Sequence, residues 1–225
     1  MTRQLAFDLP ATEAFSAAAF HPSPANAAAL AAVTNWQHWP GGKMLIVGPT
    51  GAGKTHLAHI WCAMTGAERI ESTALAGTDL PELARFGAVC VENAHLVAGH
   101  PALETALFHL HNLVLPQGRL MLTAATAPRD WGLGLADLLS RMQSAALTRL
   151  EAPDDALLAA VLTKLFADRQ ITPPPNLIPY LIPRMFRSIA AARDLVAALD
   201  ARALAQSRPI TRALAAELLD PAATT

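Results

Sequence analysis

Apolar residues along the first two thirds of the chain fall into short compact runs. KMLIV at 43–47 lies between Gly41-Gly42 and Gly48, AVCVE occupies 88–92 and RLMLT 119–123, while ERI at 68–70 and AALTRL at 145–150 are shorter or more mixed. Runs of this length with glycine or polar residues at their edges predict buried strands. Between them the apolar spacing widens to every third or fourth residue. Segments 55–64, 101–115 (with Leu103, Leu107, Leu110 and Leu113 or Val114 on one stripe) and 136–142 therefore predict helices. Strands alternating with helices imply a parallel sheet covered on both faces.

Beyond Pro153 the pattern is helical alone. Asp154 or Asp155 is placed to cap a helix running to about Arg169, and PPPNLIPYLIPRM opens a short helix with proline in its first turn, limited by Pro179 and Pro183. Ser188 is placed to cap a long run to about Gln206, and Thr211 a last helix to Leu219. The expected organisation is a tail over 1–12, an α/β core over 13–152 and a small helical lid over 153–225.

Composition narrows the function classes. Of 225 residues 52% are hydrophobic, but mostly as scattered Ala and Leu, and no window approaches the ~20 uninterrupted apolar residues of a membrane span. Asp8 and Glu13 stand where a signal peptide needs an apolar run, so a cytoplasmic protein is expected. Cys62 and Cys90 fit neither a metal knuckle nor a disulfide framework. The 17 basic against 18 acidic residues give a net charge of −1, and 151–225 holds eight of each, so no basic surface for a nucleic-acid backbone is expected.

The strongest chemical signal is GPTGAGKT at 48–55, which fits G-x-x-x-x-G-K-[ST] and sits between the strand KMLIV and a helix start. Gly48, Gly51 and Gly53 let the backbone curl so that the N–H groups of Pro49–Thr55 other than proline's face inward, the helix N-terminus adds its dipole, and Lys54 reaches the β- and γ-phosphates. Nucleotide contacts are thus expected from Pro49, Thr50, Gly51, Ala52, Gly53, Lys54, Thr55 and His56, with the Thr55 hydroxyl on Mg²⁺. His56, His59 and Cys62 follow at intervals of three, which sweep about 300° around a helix, so they cannot share one metal ion. The run VCVENAHL ends in Glu92, a second Mg²⁺ ligand through water, and then Asn93. An amide accepts no proton, so a chain with Asn93 in the water-activating position hydrolyses slowly.

GPTGAGKTHL, VCVENAHLVAG, TAATAPRDWGLGLADLLSRM and RDLVAAL, in this order, resemble the DnaA/Hda family of AAA+ proteins over roughly residues 13–220. The match is closer to Hda-like members. Asn93 follows the strand acid, RQLAFDLP resembles their sliding-clamp peptide Q-L-x-[LF]-x-L, and the sequence stops at Thr225, soon after the lid, which implies no helix-turn-helix domain. The resemblance implies an AAA+ phosphate-loop core with a five-stranded parallel sheet and a C-terminal helical lid. It makes Arg141 an arginine finger acting in trans, Arg193 the lid arginine on the chain's own phosphates, and Phe20 and His21 the backbone around adenine. Where the family carries S-S-D or T-G-D this chain has Thr123-Ala124-Ala125, so a polar γ-phosphate sensor is missing unless Thr123 or Thr126 substitutes.

The expected function is Hda-like negative regulation of replication initiation. ADP or ATP with Mg²⁺ is the bound cofactor, and Gln4, Leu5, Phe7 and Leu9 bind the DNA polymerase III sliding clamp (its beta subunit). Arg141 then promotes hydrolysis of ATP bound to DnaA near the replisome, without sequence-specific DNA binding. Whether the chain forms a homodimer is left open. The rival readings are a helicase-loader ATPase, a DnaA-like initiator fragment, and a clamp-independent adaptor using Arg141 on another AAA+ partner.

Overall fold

The computed structural model describes residues 20–219. The segment holding Gln4, Leu5, Phe7 and Leu9 lies outside the described residues. Five strands, β1 (Lys43–Val47), β2 (Glu68–Glu71), β3 (Ala88–Glu92), β4 (Arg119–Ala124) and β5 (Ala146–Arg149), form one sheet in the order β2-β3-β4-β1-β5. Every pairing is parallel. The helices among the described residues are α1 (Ala27–Thr34), α2 (Lys54–Thr65), α3 (Leu80–Ala84), α4 (Pro101–Val114), α5 (Ala136–Gln143), α6 (Asp155–Asp168), α7 (Leu177–Leu181), α8 (Ile189–Gln206) and α9 (Arg212–Leu219).

Successive strand residues feed opposite cores, as the pleat requires. Leu45, Val47, Val89, Val91, Leu120 and Leu122 pack against Leu107, Leu110 and Val114 of α4 and Leu138 and Met142 of α5. Met44, Ile46, Ala88, Cys90 and Met121 pack on the other face against Leu57, Ala58, Ile60 and Trp61 of α2, with Ala29 and Val33 of α1. Both faces of β1, β3 and β4 are therefore buried, which is why these strands read as unbroken apolar runs. On α4 the buried stripe ends in Val114; Leu113 points to solvent. A third core joins Leu158, Leu162 and Phe166 of α6 to Leu195, Val196 and Leu199 of α8 and Leu214 of α9.

Caps follow the sequence closely. Asp154 accepts from Leu157 N–H at 2.7 Å, Ser188 from Ala191 N–H at 3.0 Å and Thr211 from Leu214 N–H at 3.3 Å. The proline-rich segment gives only Leu177–Leu181 and a 3₁₀ turn at Ile182–Arg184. Two helices were not expected. α1, AAALAAVT, lacks an amphipathic stripe because alanine dominates both of its faces, and α3 spans five residues under an Asp79 cap. No helix among the described residues is long and apolar enough to cross a membrane.

At the N-terminal edge of the sheet Lys43 is buried, with no carboxylate partner among the described residues. Its ammonium donates to Arg141 O at 2.7 Å, Ser144 Oγ at 2.9 Å and His111 Nε2 at 3.2 Å. His111 must stay neutral to accept that bond, with Nδ1–H toward Asn112. Burial, and then the Lys43 charge, hold its pKa down to about 4 from the usual 6.5. In that window the unfolded chain takes up a proton that the folded chain refuses, so stability falls as pH drops from about 6.5 toward about 4. His111→Gln keeps an acceptor for Lys43 and removes this contribution. Calorimetry at about pH 7 and about pH 5 is expected to show a smaller fall in Tm for the variant than for the wild type.

Candidate nucleotide site

The phosphate loop leaves β1 at Gly48 and enters α2 at Lys54. Close packing dictates two of its glycines. A Cβ at Gly48 would lie 2.5 Å from Leu150 O, and one at Gly51 2.4 Å from Ser188 Cβ. Gly51 (φ +77°) and Gly53 (φ +107°) also take left-handed backbone. No side chain caps the start of α2, so its first N–H groups face the loop, the arrangement that binds anions. Lys54 is buried and folded onto its own loop, donating to Gly48 O at 2.7 Å and Pro49 O at 3.0 Å. Burial lowers its pKa while Glu92 opposes the shift. Phosphate oxygens are stronger acceptors than carbonyls, so a phosphate bound in the loop would draw Lys54 away from these bonds.

Glu92, at the end of β3, is 1% exposed. Thr55 Oγ1 donates to its Oε2 at 2.5 Å, and Arg69 Nη1 on β2 donates to its Oε1 at 2.5 Å. Thr55 and Glu92, the pair expected from the sequence to meet Mg²⁺, thus stand together, but one carboxylate oxygen already carries a guanidinium. Asn93 holds left-handed backbone (φ +54°), which its short polar side chain tolerates. Its Nδ2 donates to Glu71 Oε2 at 3.0 Å, its carbonyl accepts from Ser72 Oγ at 2.8 Å, and its N–H donates to Thr123 Oγ1 at 3.0 Å. Thr123 is fully buried in that contact, and Thr126 is exposed at the surface.

The polar group that does stand beside Ala125 is His95, which the sequence reading passed over. Ala125 N–H donates to its Nδ1 at 3.4 Å. Burial, then the charge of Lys54, lower its pKa, so the ring is neutral with its proton on Nε2. The signal was its spacing, three residues past Glu92 in VCVENAHL.

Two adjoining clefts share His56, Ile189 and Arg193. One is lined by Thr50, Gly51, Gly53, Lys54, Thr55 and Asn93, the polar end. The other is mainly apolar, with Phe20, His21, Asn26, Leu157, Val161 and Leu165. Phe20 meets His56 edge to face at 5.2 Å. The structure therefore brings together Phe20, His21, Thr50, Gly51, Gly53, Lys54, Thr55, His56 and Arg193, with Glu92 behind Thr55. Pro49 and Ala52 contribute no side chain to either cleft: Ala52 packs into the core and Pro49 offers its carbonyl to Lys54. The lid meets the loop directly through Ile189 N–H, which donates to Gly51 O at 2.9 Å.

Arg141 lies elsewhere. It ends α5 beside Lys43, the first residue of β1, whereas the loop follows Val47, the last. Four rises of about 3.3 Å separate the two edges, so Arg141 does not reach its own chain's phosphate site. Its guanidinium carbon sits 4.9 Å from the centre of the Phe108 ring, and the residue is partly exposed. The two cysteines, distant in sequence, meet between α2 and β3, where hydrogen bonding to Cys90 lowers the Cys62 thiol pKa. No group of three or more His, Cys, Asp and Glu placed to hold a metal occurs among the described residues.

No family model matches the chain. Among solved structures it is similar to domain III of the replication initiation protein DnaA from Thermotoga maritima, at 18% identity and TM-score 0.77, covering 92% of this chain and 96% of that one. AMPPCP-bound DnaA from Aquifex aeolicus gives 16% identity and TM-score 0.69 over 83% of this chain and 65% of the longer DnaA chain. Thermotoga maritima RuvB gives 16% identity and TM-score 0.63 over 86% of this chain and 66% of that one. The fold is the AAA+ fold of DnaA domain III, with its parallel five-stranded sheet and C-terminal helices.

Contact between loop and lid is open to test with two glycines of equal φ. A methyl at Gly51 strikes Ser188, while one at Gly132 (φ +77°) meets nothing within 4 Å. Gly132→Ala is expected to cost about 1–2 kcal/mol for left-handed backbone, and Gly51→Ala a further ~1–3 kcal/mol for the clash. Urea denaturation of both variants measures the difference.

Proposed function

We propose that this chain is an Hda-like AAA+ regulator of replication initiation. Held on the DNA polymerase III sliding clamp by Gln4, Leu5, Phe7 and Leu9, it presents Arg141 to ATP bound on DnaA and promotes hydrolysis there. The observation that carries this reading is the position of Arg141. It stands partly exposed at the sheet edge opposite the phosphate loop, away from its own chain's phosphate site, which supports a role on a neighbouring molecule's nucleotide. A guanidinium supplied in trans stabilises the charge that develops on a transferring phosphoryl group. Lys43 fixes the Arg141 main chain from below and Phe108 supports its guanidinium.

In its own cleft the chain holds ADP or ATP. Phe20, His21, Leu157 and Val161 offer an apolar seat for the base, the loop and Lys54 take the phosphates, and Arg193 approaches from the lid. Thr55 and Glu92 are the residues that would meet a Mg²⁺ arriving with the nucleotide, although Arg69 already balances the Glu92 charge. Asn93 cannot accept a proton and Ala125, the first residue after β4, carries no polar side chain, so turnover in this site is slow. The nucleotide then acts on the join between core and lid, where Gly51, Ile189 and Arg193 meet. Similarity to AMPPCP-bound DnaA supports nucleotide binding.

A second reading, a helicase-loader-type ATPase, is favoured by one contact. Glu71 is hydrogen-bonded to Asn93 and brings a carboxylate next to the place where a water-activating acid belongs. Under that reading Glu71→Gln abolishes a turnover of the chain's own.

The proposed role is tested by DnaA-bound ATP hydrolysis on clamp-loaded DNA. The wild type is expected to accelerate it, and Arg141→Ala to reduce the acceleration by about 10³-fold or more, within the range of arginine fingers. Deleting residues 1–9 is expected to abolish clamp binding and the acceleration together. No acceleration by the wild type overturns the proposal.

A further inference from the structure

Both oxygens of the buried Glu92 carboxylate are engaged by this chain's own donors, Thr55 on Oε2 and Arg69 on Oε1, each at 2.5 Å. Arg69 comes from β2, the edge strand of the sheet. Parallel register sets Arg69 beside Cys90, so its side chain leaves the sheet on the face that also carries Glu92, beneath α2. There it meets a carboxylate with 2% of its side chain exposed, while 36% of its own remains in solvent. A carboxylate so deeply buried needs a compensating charge, and this one has a cation built in.

We infer that Arg69 is the resident cation of the phosphate site. It neutralises Glu92 in place of a divalent metal, so the cleft holds a nucleoside di- or triphosphate with little dependence on Mg²⁺. This rests on the nucleotide reading given above. An unpaired Glu92 would repel incoming phosphates and draw Mg²⁺ to Thr55. With the guanidinium on Oε1 both effects shrink together, since a second cation at the same carboxylate meets like-charge repulsion and one fewer free oxygen. The phosphates keep Lys54 and the N–H groups at the start of α2 as their partners.

The test is isothermal titration of the full chain with ADP, once in Mg²⁺ and once in EDTA. The wild type is expected to bind with Kd values within about threefold of each other. Arg69→Gln, which leaves Glu92 uncompensated, is expected to bind at least about tenfold tighter in Mg²⁺ than in EDTA, whereas Arg69→Lys keeps the wild-type ratio. A wild-type ratio of about tenfold or more, or an Arg69→Gln ratio equal to that of the wild type, overturns the role of Arg69 and leaves the nucleotide reading standing. Absence of ADP binding by the wild type in both buffers overturns the nucleotide reading and this inference with it. If circular dichroism shows Arg69→Gln unfolded, the ratios of the wild type and Arg69→Lys decide.

Discussion

A single buried carboxylate organises the site. Glu92 closes β3 with almost no solvent contact, and an ionised group there is tolerated only when donors surround it. Thr55 supplies one from the first turn of α2 and Arg69 the other from the sheet edge. These contacts tie the loop, the helix that follows it and two strands to one point. The next residue is bound by the same logic. Asn93 turns left-handed, and its N–H, carbonyl and side-chain amide are each matched to Thr123, Ser72 and Glu71. A residue held at these three points is a structural corner, and under the proposed function it occupies the place where hydrolytic chemistry needs an acid.

β1 connects this corner to the proposed finger. Its C-terminal end opens into the phosphate loop, which the lid touches at Gly51, and its N-terminal end carries Lys43, which holds the carbonyl of Arg141. A five-residue strand buried on both faces is thus the packed element that joins the two ends. The two ends differ in electrostatic character. At the loop Lys54 feels the buried Glu92 carboxylate, whereas at the far edge Lys43 is satisfied, among the described residues, by neutral acceptors, and burial together with the Lys43 charge keeps His111 uncharged.

Much of the fold was legible because the central strands carry their burial in their composition: KMLIV, AVCVE and RLMLT are apolar on both faces and could be placed without knowing what covers them. The caps at Asp154, Ser188 and Thr211 were equally local. α1 was not legible, since alanine-rich AAALAAVT has no stripe and its packing on α2 and β5 is set by tertiary contact. In the site, the loop and Glu92 could be read from spacing, as could the place of His95 three residues past Glu92, but Arg69, Glu71 and the contact that His95 makes could not. Arg69 and Glu71 reach the end of β3 through a parallel register, and His95 reaches Ala125 across 30 residues of chain. Ala52 was read as a nucleotide contact through its backbone N–H, and its side chain packs into the core.

The central claim is that this site holds a nucleotide and does not consume it. Single-turnover hydrolysis of ATP prebound to the chain, followed by separating ATP from ADP over time, tests it most directly. The account predicts that the bound ATP persists far longer than the seconds or less of a competent ATPase, at rates nearer the ~10⁻⁴ s⁻¹ of phosphate-loop proteins lacking a full catalytic set. Conversion within a few seconds, without a partner, would contradict it.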